Sequence, residues 1–339
     1  MQYIFLIFLS GALGHTWLES LRLIGSNGAF TGEPGFPRGF IARDDPAFSD
    51  DSSTYRITAP DSSTPLCHPS QQKANGYENP LHPRLNASEG SFIALQYQEN
   101  GHTSAPQVPE GRPFRSGNVF VYASTSLKDE KLTSVHGNWT ADGSLENGKL
   151  LSTHFFDDLI CFQDQGTAPT KINAERKAAS GGLPSVTCQT DVQIPQDIKS
   201  DVLALYWVWE WPLWANTDKW ANETYTACSE VLISQGGDSS SEIVLDEGVA
   251  FDKRAVMSQL ATQFEVLELG TGTAAPPLVT SLFPNTASAP LSTDLATDLV
   301  TLSSMPTTTV ADADGHSGFV TVYVPSATVT VTVTAVAPP

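Results

Sequence analysis

Residues 201–211, DVLALYWVWEW, alternate large rings with smaller apolar groups and carry tryptophan at 207, 209 and 211. Side chains in a strand repeat with period two, so Trp207, Trp209 and Trp211 share one sheet face, where core packing is their expected role in preference to a sugar platform. Outward from this run, SFIALQY at 91–97 and GNVFVYAS at 117–124 have the same character and are bounded by Gly, Pro, Asn and Asp clusters. Short strands of this kind recur from His15 to about Ile233, without the long 3.6-period segments that crossovers of a parallel sheet would require. The expected fold class is therefore all-β, an antiparallel β-sandwich with long loops. One stretch, VAFDKRAVMSQLATQFEV at 249–266, carries helical periodicity after the connector QGGDSSSE and is expected to pack as a terminal helix.

The chain has 339 residues, with 18 Lys+Arg against 37 Asp+Glu and a formal net charge of −19. So few cations cannot supply the phosphate contacts on which nucleic-acid affinity rests, and an anionic membrane surface would repel the molecule. No Lys or Arg follows Arg254, and from about Thr271 the chain turns to Thr, Ser, Pro, Ala and Val. Such a segment has little to bury and reads as a disordered, O-glycosylated stalk. Its end, VTVYVPSATVTVTVTAV at 320–336, alternates β-branched residues with Thr and could form a strand or a small appended module. A lipid-anchor signal would need a more continuously apolar tail.

Residues 1–14, MQYIFLIFLSGALG, combine an apolar run with the small-x-small ending that signal peptidase reads. The segment is too short to cross a bilayer and no later stretch is apolar enough, so the expectation is a secreted chain with no transmembrane segment. The expected organisation is a signal peptide at 1–14, a β-sandwich domain with a C-terminal helix at 15–267, and a Ser/Thr/Pro-rich tail at 268–339. Three sequons, at Asn86, Asn138 and Asn222, suit that route. The four cysteines, Cys67, Cys161, Cys188 and Cys228, imply two disulfides in an oxidising compartment, and spacing alone leaves three pairings open. Their spacing does not suit a zinc site.

Cleavage after Gly14 would leave His15 at the N-terminus, where its α-amine and imidazole Nδ1 can chelate one metal ion. The α-amine loses its proton near neutrality far more readily than an amide does. A second imidazole completes a T-shaped set of three nitrogens, which suits the tetragonal preference of Cu(II). His102 is the leading candidate because it follows the strand at 91–97 on an Asn100-Gly101 bend; His68, His82, His136 and His154 are rivals on the same basis. At Glu223–Cys228, ETYTAC, strand periodicity puts Glu223 and Tyr225 on one face and Cys228 on the other. Tyr225 could thus face the metal, with Glu223 beside it to hold or protonate an oxygen species, while Cys228 anchors the strand elsewhere. Trp17, close to the terminus, is a candidate for glycan contact.

HTWLESL at 15–21, QYQENGH at 96–102, LYWVWEW at 205–211 and ETYTACSEV at 223–231 together resemble the lytic polysaccharide monooxygenases, secreted copper enzymes whose mature chains begin with the metal-binding histidine. Within them the likeness is to a fungal branch that also carries PGFPRG, here at 34–39, and it spans roughly residues 15–235. The resemblance implies an immunoglobulin-like sandwich with copper held by His15 through two nitrogens and by His102 through one. Tyr225 matches the axial tyrosine and Glu223 a neighbouring acid. It also suggests that Cys67 pairs with Cys228, leaving Cys161 with Cys188. The chain departs from several branches in having no histidine within 206–211.

The activity so implied is copper-dependent oxidative cleavage of a polysaccharide such as cellulose, hemicellulose or chitin, with hydroxylation at C1 or C4 and an external electron donor. A copper-binding but non-catalytic protein of the same fold, or a cell-wall-associated glycoprotein, is the competing reading. Hydrolysis by paired carboxylates finds no pair singled out among the many acids.

Overall fold

The computed structural model describes residues 15–74, 78–104, 113–164, 169–216, 219–234 and 243–266, together with 310–311, 317–318, 320–324 and 327–331. The expected signal peptide at 1–14 and most of the expected stalk lie outside the described residues. The chain divides into two units, Met1–Thr280 and Ser281–Pro339. In the first, the strands in chain order are β1 (Leu18–Ile24), β2 (Phe30–Gly35), β3 (Arg56–Ile57), β4 (Leu85–Ser88), β5 (Phe92–Tyr97) and β6 (Asn118–Ser124). They are followed by β7 (Lys149–Phe155), β8 (Phe162–Gln163), β9 (Ser185–Val186), β10 (Cys188–Gln193), β11 (Val202–Asn216) and β12 (Lys219–Ser234).

A four-stranded antiparallel sheet runs in the order β10-β5-β1-β2. A six-stranded sheet runs β3-β12-β11-β6-β7, antiparallel throughout, with β4 added parallel to β12. Leu18, Leu21, Ile93, Leu95 and Tyr97 from the first sheet meet Val119, Val121, Trp207, Trp209 and Tyr225 from the second in one apolar core. The alternate residues of β11, Ala204, Tyr206 and Val208, face outward and are buried in turn against Leu66, Leu132, Val135 and the Cys67–Cys228 bridge. Burial on both faces explains why β11 reads as an almost unbroken apolar run and not as a polar-apolar alternation. The second bridge, Cys161–Cys188, lies at the start of β10.

The short helix expected within 249–266 is present, but it covers few of those residues. A 3₁₀ turn at Phe251–Lys253 leads to a single short helix, Met257–Ala261, and the remainder is extended or irregular. Its partners give the reason. The main chain first runs over the four-stranded sheet, where Ala255 N–H donates to the Gly28 carbonyl (2.8 Å) and Val256 N–H to Asp191 Oδ2 (2.6 Å). The Gln259 and Gln263 side chains then accept from the Asp191 and Gln193 amides of edge strand β10 (2.6 and 3.0 Å). Finally Gln263 and Glu265 pair through their main chains with Thr153 of β7, the edge of the other sheet (both 2.8 Å). A strap that satisfies exposed groups of two sheet edges cannot spend all its own amides within a helix. A helix that composition did not reveal, α1 at Lys171–Ala179, is capped by Thr170, whose hydroxyl accepts from Asn173 N–H.

The strap covers buried acids. Asp158 accepts from the amides of Ile160, Cys161 and Gln189 at 2.8–2.9 Å. Burial, and secondarily the neighbouring Asp157 charge, push its pKa up to about 6 in spite of those bonds. Burial also drives Asp191 well above the usual carboxylate range. A carboxyl whose pKa is higher folded than unfolded binds its proton more tightly in the native state. Its stabilisation is therefore complete below the unfolded value of about 3.9 and fades as pH rises through the folded one. Compared with an Asp158→Asn variant, the wild-type domain is expected to gain stability between pH 7.5 and pH 5 in scanning fluorimetry; an equal pH dependence in the two proteins would contradict this role of the buried acid.

Within the second unit, Val320–Val324 and Ala327–Val331 form an antiparallel hairpin with Val320 opposite Val331 and Val324 opposite Ala327. Residues 320–324 and 327–331 thus adopt the strand conformation that their β-branched residues favour.

Candidate metal centre

His102 sits at the end of the turn that leaves β5. Its main-chain N–H and its Nδ1 both reach the Glu99 carbonyl (2.9 Å each). With Nδ1 donating there, Nε2 keeps its lone pair, and among the described residues it has no hydrogen-bond partner; this tautomer is the one a metal-binding imidazole needs. The ring is 5% exposed and stands edge-on to Trp209 (4.7 Å between centroids) and Trp211 (4.8 Å). Burial lowers its pKa to about 4 against the opposing pull of the Glu99 hydrogen bond, so the imidazole is neutral at neutral pH.

Glu99 builds this turn. Its carboxylate, 1% exposed, accepts from the Thr103 and Ser104 amides (2.6 and 3.0 Å) and from the Ser104 hydroxyl. From the other side the Ser116 hydroxyl donates to the His102 carbonyl (2.8 Å), and Trp209 Nε1 donates to the Ser116 carbonyl (2.7 Å). Arg115 and Ser116 both adopt positive φ, 43° and 63°, a costly conformation held by these bonds and by packing. Sequence reading singled out ENGH for its histidine and passed over this glutamate. The signal was an acid placed four and five residues before Thr103 and Ser104, within reach of their amides.

The antiparallel register brings His15 to the same place. Leu18 of β1 lies opposite Tyr97 of β5, so the residues preceding Leu18 run alongside those following Tyr97. His15 Nε2 lies 3.7 Å from Oδ1 of the exposed Asp51. Trp17 does not offer a sugar-binding surface: it is 4% exposed, under the Arg43 guanidinium (4.7 Å from its ring) and against Phe48 (5.8 Å). The Arg43–Glu19 ion pair fastens that loop over the arm.

Tyr225 and Glu223 share the face that periodicity assigned them. The Tyr225 ring is 6.0 Å from that of His102 and 4.7 Å from Trp209. Its hydroxyl donates to Glu223 Oε2 (2.6 Å), and burial, reinforced by the Glu223 carboxylate, raises its pKa so that it stays a neutral phenol. Glu223 is itself paired with Arg56 (3.2 Å), so both carboxylate oxygens are engaged within the protein. Cys228 points to the opposite face, into its bridge with Cys67.

The rival histidines have other employment. His136 links the Tyr122 hydroxyl to Glu210 (2.9 Å on each side), and His82 packs against Phe36 and Phe40. His68 caps a short turn through Ser70 N–H (3.1 Å), and His154 is buried 3.6 Å from Glu265. Among the described residues the one cluster of other metal-ligating groups is Asp157, Asp158 and Cys161, whose cysteine is spent in a disulfide and whose Asp157 is held by Arg176 (2.8 Å). Asn86, Asn138 and Asn222 are all exposed.

Two imidazoles, that of His102 with its Nδ1 committed to the Glu99 carbonyl, are nitrogen donors of the kind late first-row divalent ions take. Residues 12–261 match the family described as Domain of unknown function (DUF7492). The chain belongs to this family. The DUF7492 match ends within the strap, so the strap's short helix falls inside it. No curated protein matches the sequence. Among solved structures, HiLPMO9B overlaps at a TM-score of 0.27 with 12% identity, over 72% of this chain and 88% of that one. A cellulose-active polysaccharide monooxygenase from M. thermophila gives 0.27 with 10% identity, over 66% and 79%. Cel61B, a glycoside hydrolase family 61 member from Hypocrea jecorina, gives 0.20 with 12% identity, over 50% and 59%. Overlap this loose transfers no site, and the chemistry must be argued from the residues themselves.

Proposed function

We propose that this chain is a secreted copper protein of the immunoglobulin-like sandwich class. In this reading processing exposes His15, and one copper ion is held by its α-amine and Nδ1 together with Nε2 of His102. The observation that carries the reading is the His102 tautomer: a buried, neutral imidazole with Nδ1 committed to the Glu99 carbonyl and His15 within electrostatic range. Tyr225, a neutral phenol held by Glu223, has its ring 6.0 Å from that of His102 and would lie beside the bound ion. Bound there, copper would supply one-electron chemistry toward dioxygen or hydrogen peroxide, fed by an external electron donor, for oxidative cleavage of cellulose, hemicellulose or chitin at C1 or C4. The protein's own residues hold the ligands in place, keep His102 unprotonated and keep Tyr225 protonated. The exposed sequons at Asn86, Asn138 and Asn222 and the two disulfides support the extracellular route.

One observation favours a second reading, copper binding without catalysis, in the extracellular medium or at the cell wall. The aromatic residue nearest the arm, Trp17, is buried under Arg43 and offers no ring face to a sugar.

The deciding experiment incubates the secreted chain, its N-terminus checked by mass spectrometry, with copper, ascorbate and cellulose, xylan or chitin. Oxidised oligosaccharides are the expected product. Tight one-to-one copper binding without them would favour the second reading, and a mature chain starting elsewhere than His15 would overturn both.

A further inference from the structure

The N-terminal arm is the weak point of such a site, because its three residues precede the β1–β5 ladder, whose first pair is Leu18 with Tyr97. Unpaired termini fray unless something ties them down. Two side-chain bonds do so here. The buried Thr16 hydroxyl donates to the Gln98 carbonyl (2.7 Å), and Asn100 Nδ2 donates to the His15 carbonyl.

We propose that Asn100 is a positioning residue that sets the spacing of the two histidines by latching the His15 carbonyl to the turn that carries His102; this rests on the copper reading. Asn100 has φ 40° and Gly101 φ 88°, so the chain reverses through two left-handed residues. Asparagine tolerates that conformation better than most residues and at the same time supplies an amide donor. Glycine would keep the turn without the latch, and aspartate would face the carbonyl with an acceptor. Because the His15 carbonyl belongs to the residue that bears both the α-amine and the ring, holding it restricts the rotations that separate those donors from His102. Ordering a residue costs conformational entropy, and the latch places that cost on folding and not on metal capture.

The test compares Cu(II) affinity, by competition titration, of the secreted wild-type chain, Asn100→Gly, His102→Phe and the double variant, with electron paramagnetic resonance of each copper form and hydrogen exchange of residues 15–19 in the metal-free proteins. Asn100→Gly is expected to weaken copper about tenfold, at the low end of what lost outer-shell partners cost. It should alter the copper hyperfine pattern, speed exchange in the arm, and add no loss of affinity to His102→Phe, in which there is no second imidazole whose spacing the latch could set. An unchanged affinity in Asn100→Gly, or an equal loss in both backgrounds, would overturn the latch while leaving the copper reading intact. A wild-type chain that binds no copper tightly would overturn the copper reading and the latch with it. Metal-free melting temperatures check that each variant is folded, and Asn100→Asp, expected to speed arm exchange as well, tests the donor should the glycine variant prove unstable.

Discussion

Replacing His102 by phenylalanine is expected to weaken copper binding by about 100-fold or more while leaving the fold in place. Losing an outer-shell partner of a metal ligand costs about 10–100-fold, so losing the ligand itself should cost at least as much. Phenylalanine is the appropriate replacement because His102 is packed edge-on to Trp209 and Trp211 and is 5% exposed. Alanine would open a cavity there and mix a folding defect with a binding defect. A benzene ring fills the space and forgoes the Nδ1 bond, worth about 1 kcal/mol, and the Glu99 carbonyl still accepts from the main-chain N–H of residue 102. Isothermal titration with Cu(II) and a melting curve on the same preparation read the two effects separately. An unchanged affinity would remove His102 from the site.

The sandwich was legible in the sequence because its strands are bounded by turn residues and its central strand, β11, is apolar on both faces. Of the candidate site, the sequence offers only what lies in residue type and place: a histidine after a small-x-small motif, a histidine after Asn-Gly, and a tyrosine two residues from an acid. Four features were not legible, the first three because they depend on contacts that leave no mark on composition. Trp17 reads as a surface ring until Arg43, more than twenty residues away, is seen to cover it. The strap's helical period is real, but hydrogen bonds to β10 and β7 take precedence over it, and no local pattern announces that competition. Glu99 looks like a surface acid within ENGH because its partners are the amides of Thr103 and Ser104, and a main-chain amide leaves no mark on composition. The helix at Lys171–Ala179 escaped for another reason: its side chains are mostly polar, so it lacks the apolar stripe on which helical periodicity depends.

The second large effect is expected at Trp209, where fold and site are the same object. Its ring is fully buried, stacked on Phe156 (4.0 Å) and packed against Tyr225 (4.7 Å) and His102 (4.7 Å). Its Nε1 donates to the carbonyl of Ser116, a residue in the left-handed region whose hydroxyl in turn holds the His102 carbonyl. Trp209→Ala should destabilise the domain by about 3–5 kcal/mol, the range for truncating a large aromatic in a core. Trp209→Phe separates the two roles. It keeps most of the ring contact but leaves the Ser116 carbonyl without its donor, so its stability cost should be smaller and its effect should fall on the His102 turn. If that turn positions the ligand, Trp209→Phe lowers copper affinity more than the strap variant Gln259→Ala, even when the two lose equal stability, because Gln259 supports β10 on the far side of the four-stranded sheet. Denaturant titrations matched to copper titrations would show this. A common dependence of affinity on stability across Trp209→Phe and Gln259→Ala would mean that Trp209 serves the core alone, with His102 held by Glu99.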